Sequence, residues 1–584
     1  MLAVTCAMAA AFVVAAAAPA DAHALLLRSE PAGNATLKTS PPVVRLHYSE
    51  PVEVQFGAVR LVDANNKLVA SGPLRLADGS REVDLPVRPV EDGTYSLLWQ
   101  VVSADGHPTH GFFTFYVGAP SAISALPVNG PTGPQQTLVW LFGLVRFTWF
   151  TAFVLLVGAV CARAWVWAPS LRATAPQGGT AQERAAGSAE SPPVTFRRRF
   201  AVLLPAAWGV LAVAAVLVLI FQAATVSGQS FLSSLRPSVL GDLLRTRFGQ
   251  GWLIEMAFIA LGAAPVVALA RRPRLLGISS RRWQLVGAVC AVGLAAAVAV
   301  NGHARTDPHP PLSVVLVAAH LLAAAVWTGG LVALVLLAAP GWRSLPDTRR
   351  AWQLRPALVG QVVVRFTRVA LLSVAVVVAS GTVAAVGEVE TAHALVGTSY
   401  GRVILAKVAL LLVALAFGLR HWRRTPSRLG GPDARAEVRT FETTSAAEAA
   451  VLGVTVLLAA ILVALTPGRS VAAGAGGPLD VQKRAGPYTV EVTVDPRISG
   501  PNEVHVTFVD RSSGVLAQDV ATADAQLTSP AGRPVPLSLD VFTPGHFVGQ
   551  PTLPSAGRYR LVIRGNGAVA AFRFSVGGAN AASR

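Results

Sequence analysis

Three residues with metal-binding side chains stand in two short segments near the N-terminus. His23 directly follows Ala20-Asp21-Ala22, and Asp105 and His107 belong to Ser103-Ala104-Asp105-Gly106-His107-Pro108. Cleavage after Ala22 would make His23 the first residue, and its α-amine and imidazole could then chelate one metal ion. Asp105 would add an oxygen and His107 a third nitrogen. A set of nitrogen and carboxylate ligands suits a tetragonal Cu(II) site.

The residues before His23 predict how it becomes a terminus. Residues 2–20 are almost wholly small and apolar, and Ala20-Asp21-Ala22 fits an A-x-A cleavage site, so residues 1–22 are predicted to be a secretory signal peptide. We expect an extracytoplasmic metal site with pH-dependent affinity, because the amine and both imidazoles bind only when deprotonated. The competing interpretation is a terminus that happens to be histidine, with Asp105 forming an Asx turn.

Two further histidines lie near these residues in the sequence. His110 lies at the start of a predicted strand, and its alternatives stay open: it is a fourth ligand, a group that supports a ligand, or a solvated residue at a strand end. His47 lies within the body of a predicted strand, so we expect it to be structural rather than metal-binding.

Composition indicates a membrane protein. Of the 584 residues, 53% are hydrophobic, and the mean hydropathy is +0.52, which points to several membrane spans. Eight apolar runs approach the ~20 residues that cross a bilayer. They cover residues 139–162, 201–225, 252–270, 284–301, 313–338, 367–387, 403–418 and 447–466.

The arginines predict how these spans are oriented. Most arginines of the middle region stand in loops 1, 3, 5 and 7 between the runs. Loops 2, 4 and 6 carry only Arg236, Arg245, Arg247, Arg305 and Arg402. The positive-inside rule then places the odd loops in the cytoplasm and both termini outside. The net charge of +18 follows from this orientation, and nucleic acid binding is not expected.

Soft metal ligands are scarce in this sequence. The cysteines are Cys6, in the predicted signal peptide, and Cys161 and Cys290, in apolar runs. Met256 is the only methionine beyond the predicted signal peptide. We therefore predict neither a disulfide framework nor a methionine-rich Cu(I) site.

The chain divides into three predicted regions with two linkers. Residues 23–118 and 478–578 contain short alternating runs between turn residues, which is typical of β-sandwiches. Residues 119–136 and 467–477 are expected linkers around the eight spans of residues 137–466. The predicted fold class is mixed and multidomain: an extracytoplasmic β-sandwich, an eight-helix all-α transmembrane domain and a second, C-terminal β-sandwich.

The first region resembles the CopC copper-binding domain. The resemblance rests on His23, on His47-Tyr48-Ser49-Glu50-Pro51 and on the segment from Ser103 to Pro108. Some CopC proteins hold Cu(I) with methionines in a loop after the second strand. Here the equivalent segment, Val62-Asp63-Ala64-Asn65-Asn66-Lys67, contains no methionine. The domain is therefore similar to the branch that binds only Cu(II).

The rest of the chain resembles two further families. Asn301-Gly302-His303-Ala304, His320 with Trp327-Thr328-Gly329-Gly330, and Gly401-Arg402 with Lys407 resemble CopD, the membrane partner of CopC. Gly545-His546 and Leu553-Pro554-Ser555-Ala556-Gly557-Arg558-Tyr559 are similar to a YtkA-type β-sandwich. These resemblances imply a bacterial copper-handling fusion protein.

Ionisable residues inside the spans are costly and are functional candidates. His320 lies within the fifth run, and His303 lies at the outer end of the fourth. Together they could relay copper inward. Alternatively, His320 hydrogen-bonds a neighbouring helix and His303 is a loop residue. Glu255 and Lys407 are expected to form a buried ion pair. Gly329-Gly330 is expected to allow close helix packing.

Copper import is the leading functional hypothesis. The outer domain would capture Cu(II) and the eight spans would carry copper into the cell, with the lipid bilayer and a separate copper chaperone or reductase as partners. The alternative is an extracytoplasmic copper buffering or resistance factor without transport. Enzymatic activity is not expected, because Asp105 would occupy a coordination position that copper oxygenases leave open.

Overall fold

The fold is taken from a computed structural model. It describes residues 26–32, 35–48, 51–54, 59–65, 67–69, 71–103, 108–119, 134–174, 192–227, 230–271, 281–302, 310–345, 349–389, 392–463, 465, 479–495, 497–512 and 516–577. The helices between residues 137 and 465 belong to one compact unit, and the N- and C-terminal β regions belong to a second.

The N-terminal β domain is built from short strands, as its alternating sequence predicts. They are β1 Leu26–Glu30, β2 Thr36–Leu37, β3 Val43–Tyr48, β4 Val52–Glu53, β5 Val59–Asp63, β6 Arg75–Ala77, β7 Glu82–Pro86, β8 Gly93–Ser103 and β9 Pro108–Val117. One sheet has the order β1-β3-β7-β6, and the other has the order β2-β9-β8-β4, with β5 also paired to β8.

Strand alternation places the core of this domain between the two sheets. In β3, Val44 and Leu46 are fully buried, whereas Arg45 and His47, which alternate with them, are only partly buried. Leu61 of β5 and Phe115 of β9 join them in one hydrophobic cluster. Burying each such side chain contributes roughly 1.5–3 kcal/mol, so the two-residue period of the sequence fixes which face points inward.

The middle region is helical. Its helices are α1 Pro134–Cys161, α2 Ala168–Ala173, α3 Pro192–Ser227, α4 Pro237–Arg245, α5 Arg247–Arg271, α6 Arg281–Val300, α7 Pro310–Ala324, α8 Gly330–Ala333, α9 Ala339–Arg343, α10 Arg349–Val389, α11 Ala392–Gly397, α12 Ser399–Leu429 and α13 Ala434–Leu462. Three π-helical segments, Ala162–Trp167, Ala325–Gly329 and Leu334–Ala338, join α1 to α2, α7 to α8 and α8 to α9.

Each of the eight apolar runs lies almost wholly within a helix of this region. In the described part of the chain, seven helices are long and apolar enough to cross a membrane when they are counted through the π-helical segments. Within α6, the apolar helical stretch Leu285–Val300 is shorter than these seven. The short helices α4 and α11 were not predicted, because each falls in a loop between two runs.

Two glycines bring helix backbones into direct contact. A Cβ atom on Gly329 would lie 1.9 Å from the carbonyl oxygen of Val154, and one on Gly158 would lie 2.1 Å from the carbonyl carbon of Gly329. No residue with a side chain fits at that separation. The close packing predicted for Gly329 is therefore confirmed, and Gly158 of α1 is its counterpart.

The C-terminal β domain has its own strands and core. Its strands are β10 Leu479–Ala485, β11 Tyr488–Asp495, β12 Gly500–Pro501, β13 Glu503–Asp510, β14 Ala523–Thr528, β15 Pro534–Val535, β16 Asp540–Thr543, β17 His546–Gly549, β18 Thr552–Leu553, β19 Gly557–Gly565 and β20 Ala568–Val576. The main sheets have the orders β10-β11-β13-β17-β16 and β15-β14-β19-β20. Val506, Phe508, Phe547 and Leu561 are completely buried in a cluster made only of residues from this domain.

Both described cysteines are free thiols in the helical region. Cys161 ends α1, and Cys290 is buried in α6. No cysteine occurs in residues 26–118 or 479–577. The two β domains are therefore held by strand pairing and apolar packing, without sulfur cross-links.

We predict that Gly329→Ala destabilises the helical unit although alanine favours helices. The new methyl group must displace the Val154 backbone, and overpacking of this kind costs about 1–3 kcal/mol or more. The matched control is Gly143→Ala in α1, where a Cβ atom meets nothing within 4 Å. That change should raise stability by up to ~1 kcal/mol. Thermal unfolding of the detergent-solubilised protein compares the two, and equal effects would contradict the packing argument.

Candidate metal-binding sites

The three predicted Cu(II) ligands His23, Asp105 and His107 lie outside the described residues, but the strands beside them are described. Strand β8 ends at Ser103 and β9 begins at Pro108, and Val102 is paired with Pro108. Residues 104–107 therefore connect the two strands of a hairpin. The described chain begins at Leu26 of β1, three residues after His23.

Strand pairing brings the start of β1 and the end of β8 to the same end of the domain. Leu26 is paired with Tyr48 at the end of β3, and Val52 of β4 is paired with Ser103 at the end of β8. The chain from Tyr48 to Val52 can span at most about 14 Å. The β8–β9 connection and the first described residue therefore lie within reach of each other.

Aromatic packing closes the core beneath this end. Tyr48 is buried, and its ring meets the ring of Trp99 edge-on at a centroid distance of 5.6 Å. Trp99 in turn covers Gly111 of β9, where a Cβ atom would lie 2.6 Å from the indole ring. Burial raises the pKa of Tyr48 well above its usual range, so its hydroxyl stays protonated.

The two nearby histidines differ in what the structure describes. The backbone of His110 lies in β9 opposite Gln100, and its side chain is outside the described set. His47 lies 3.2 Å from Arg28 through Nε2 and 3.2 Å from Glu82 through Nδ1. Both ring nitrogens of His47 thus face charged partners on the outer surface of β3, which agrees with the structural role predicted for it.

His320 is held between two helices of the bundle. Its Nδ1 lies 3.0 Å from the hydroxyl oxygen of Ser380 in α10. The imidazole fits there because Gly381 has no side chain: a Cβ atom on Gly381 would lie 3.1 Å from Cε1 of His320. Lys407 of α12 is close enough to interact electrostatically with the same ring. The predicted partner His303 lies outside the described residues.

The Ser380 contact favours one tautomer of His320. The Ser380 hydroxyl donates to the carbonyl oxygen of Val376, so it can accept a hydrogen bond from Nδ1–H of His320. Nε2 then carries the lone pair, which is the form that binds a metal ion. The structure therefore places a potential nitrogen ligand inside the helical unit and also shows the helix–helix hydrogen bond that the alternative interpretation expected.

The predicted ion pair between Glu255 and Lys407 is wrong. Glu255 of α5 is buried and accepts a 2.7 Å hydrogen bond from the indole nitrogen of Trp149 in α1. Lys407 lies near His320 instead. The sequence shows the depth of each residue but not which helices are neighbours, so the two residues were paired only because their charges are opposite.

A buried polar cluster between α12 and α13 was missed by the sequence analysis. Nε2 of His421 lies 2.8 Å from Thr444 Oγ1, and Nδ1 lies 3.4 Å from a carboxylate oxygen of Glu448. Nearby, Thr425 donates a 2.9 Å hydrogen bond to Glu437. These residues fall in or beside what was predicted as loop 7, so their pairing was not visible from hydropathy.

A second missed arrangement lies in the C-terminal β domain. Nδ1 of His505 in β13 lies 2.9 Å from Nε2 of His546 in β17, and both side chains are buried. The two histidines are separated by 41 positions in the sequence. Only the register between β13 and β17 brings them together. Within the described residues, no group of three or more His, Cys, Asp or Glu side chains is arranged to hold a metal ion.

Comparisons with known proteins cover most of the chain. A model of the CopC domain matches residues 26–118. A model of the N-terminal domain of copper resistance protein D-like proteins matches residues 137–310, and a model of copper resistance protein D matches residues 360–462. These three models follow one another along the chain without overlap.

Individual relatives agree with these matches. The copper transport protein CutJ of Bacillus subtilis (strain 168) is 27% identical over 416 residues, which are 69% of this chain and 68% of CutJ. Copper resistance protein C of Xanthomonas campestris pv. juglandis is 32% identical over 109 residues, 18% of this chain and 85% of that protein. The crystal structure of CopC from Methylosinus trichosporium OB3b is 29% identical, covers 17% of this chain and 95% of its own, and has a TM-score of 0.16.

We predict that Trp149→Phe destabilises the helical unit by about 1–3 kcal/mol, because it leaves the buried Glu255 carboxylate without its donor. Phenylalanine keeps the apolar packing of the indole. The matched control is Trp140→Phe in the same helix, where the ring is 52% exposed. Reversible unfolding in mixed detergent measures both variants. In a Glu255→Leu background the effect of Trp149→Phe should largely vanish, and an undiminished effect there would refute the hydrogen-bond explanation.

Proposed function

Because this chain belongs to the CopC–CopD family of copper resistance and transport proteins, we propose that its N-terminal β domain captures Cu(II) and its helices import copper across the cell membrane. The observation that carries this proposal is the fusion itself. One chain matches a CopC domain followed by both parts of copper resistance protein D, and it is similar to a copper transport protein over 416 residues. Capture and passage through the membrane would then belong to one molecule.

Capture is assigned to His23, Asp105 and His107, with His110 as a further candidate. The support is topological: the β8–β9 connection and the start of β1 lie at one end of the domain. The α-amine, two imidazoles and a carboxylate supply the ligands that Cu(II) favours. The buried aromatic residues beneath this end exclude water from one side of the site.

Passage is assigned to His303 and His320 in a multi-pass membrane protein with both termini outside. The support comes from His320, whose Nδ1 contact with Ser380 leaves Nε2 for a metal ion. Residues of three helices, α7, α10 and α12, meet at this ring, and Lys407 of α12 is the charged group among them. A separate chaperone or reductase would act as a partner, and no catalytic step is assigned to this chain.

The alternative is a copper buffering or resistance factor that does not transport. It is favoured by the names of several relatives, which describe copper resistance rather than transport. Under this alternative the helices anchor the protein, and the contacts of His320 are only structural.

For the capture site, we predict that His23→Ala and His107→Ala each weaken Cu(II) binding by at least about tenfold, since each removes a nitrogen ligand. The full chain is titrated with Cu(II), and electron paramagnetic resonance follows the nitrogen couplings. Affinity should also fall below about pH 6, where imidazole nitrogens are protonated. His47→Ala is the control and should bind as the wild type does. Unchanged affinity and couplings in both ligand variants would refute this site.

For transport, we predict that the wild-type protein raises intracellular copper in cells that lack it, and that His303→Ala/His320→Ala does not. Expression is matched and external copper is limiting. The double variant should still bind Cu(II), because its capture site is intact. If neither protein changes the copper content while both bind Cu(II), import is refuted and the buffering alternative takes its place.

A further inference from the structure

One C-terminal sheet carries two buried histidines on the face that points away from the domain core. In β13, Val504, Val506 and Phe508 point into the core, so His505 and Thr507 lie on the opposite face. His505 is opposite Val548 and Thr507 is opposite His546 in the antiparallel register with β17. His505 and His546 are therefore diagonal neighbours on one face, and their relative exposures are only 9% and 4%.

The two imidazoles present nitrogens to each other. His505 Nδ1 and His546 Nε2 are 2.9 Å apart, and the ring planes are inclined by 38°. On its other side, Nε2 of His505 lies 3.4 Å from a carboxylate oxygen of Glu503. A carboxylate next to one ring nitrogen favours the proton there and leaves the opposite nitrogen as a ligand. No hydrogen bond joins His505 Nε2 to Glu503 in the structure, so the negative charge of Glu503 favours, by electrostatics alone, the tautomer of His505 with its lone pair on Nδ1, facing His546.

The surroundings of the pair suit a metal ion of low charge. Both imidazoles are almost fully buried, so a bound cation would be held away from water. Neutral imidazoles do not compensate the charge of a buried cation. The single carboxylate of Glu503 can balance one positive charge, which favours a monovalent ion over a divalent one.

We propose that His505 and His546 form a second metal site in this protein, a two-nitrogen site for Cu(I). The choice of copper rests on the proposed function, whereas the pairing of the ligands does not. Cu(I) accepts two ligands in a nearly linear arrangement, whereas Zn(II) and Cu(II) sites use four. Among the described residues, no third ligand accompanies the pair.

Occupancy requires only a small movement. Metal–nitrogen bonds of about 2 Å place two opposed nitrogens about 4 Å apart, so the present separation must grow by about 1 Å. Gly545 precedes His546 and adopts φ of +85°, and its backbone is bonded to Val520 and Phe508. The strand start is therefore fixed, and rotation of the His546 side chain provides the movement.

The test is an anaerobic Cu(I) titration of the full chain against a chromophoric Cu(I) chelator. The background carries His23→Ala/Asp105→Ala/His107→Ala and His303→Ala/His320→Ala, so that the assigned ligands of the other proposed sites are removed. In this background we expect one Cu(I) per chain, with X-ray absorption reporting two nitrogen neighbours. His505→Gln and His546→Gln should each lose that equivalent, whereas the control His47→Gln should keep it.

Retention of one Cu(I) by both glutamine variants would overturn the proposal, as would binding through ligands other than nitrogen. Hydrogen exchange of β13 and β17 shows whether each variant is folded. If a variant unfolds, the background protein decides the question: Cu(I) must slow the hydrogen exchange of β13 and β17. Unchanged exchange refutes the site. Cu(II) capture and copper uptake are measured in separate experiments. Loss of the His505–His546 site therefore does not refute the proposed function, and failure of the proposed function does not refute the ligand pair.

Discussion

The cost of holding an ionisable side chain among apolar helices governs the arrangement of the helical unit. An isolated charge there costs several kcal/mol, so each such group is expected to have a partner. Glu255 accepts a hydrogen bond from Trp149, His320 contacts Ser380, and His421 lies between Thr444 and Glu448. Each of these contacts joins two different helices. The polar groups therefore help to specify which helices are neighbours. Apolar packing alone is less selective, because one apolar helix face can pack against many others.

The β domains obey the same constraint in a different geometry. Strand alternation sends one set of side chains into the core and leaves the next set on the outer face. In β3 the outer set includes Arg45, which forms ion pairs with Glu82 and Asp84. In β13 the outer set includes a buried histidine, His505. Two sandwiches with similar cores thus differ in what their outer faces can bind. Within the two β domains, the proposed copper ligands lie on these faces and in the loops, since the cores carry no ligands.

The sequence predicts those elements whose causes are local. Each of the eight apolar runs lies almost wholly in a helix, and the alternating segments became strands, because hydropathy and side-chain period act over neighbouring residues. The helices extend past the runs, as α12 does from Ser399 to Leu429 around the run at 403–418, because polar residues continue the backbone hydrogen bonding. Pairings at long range could not be predicted. Glu255 was matched to the wrong partner, and the contact of His505 with His546 depends on strand register alone.

The free thiols Cys161 and Cys290 both stand in helices, and neither β domain contains one. Thiols are readily oxidised near redox-active metals, to disulfides or to higher oxidation states of sulfur. A β domain without cysteine has no such group to lose and no cross-link to be reduced. Its fold is therefore indifferent to the redox state of its surroundings. A domain that repeatedly meets a metal able to cycle between two oxidation states would keep its structure through each cycle.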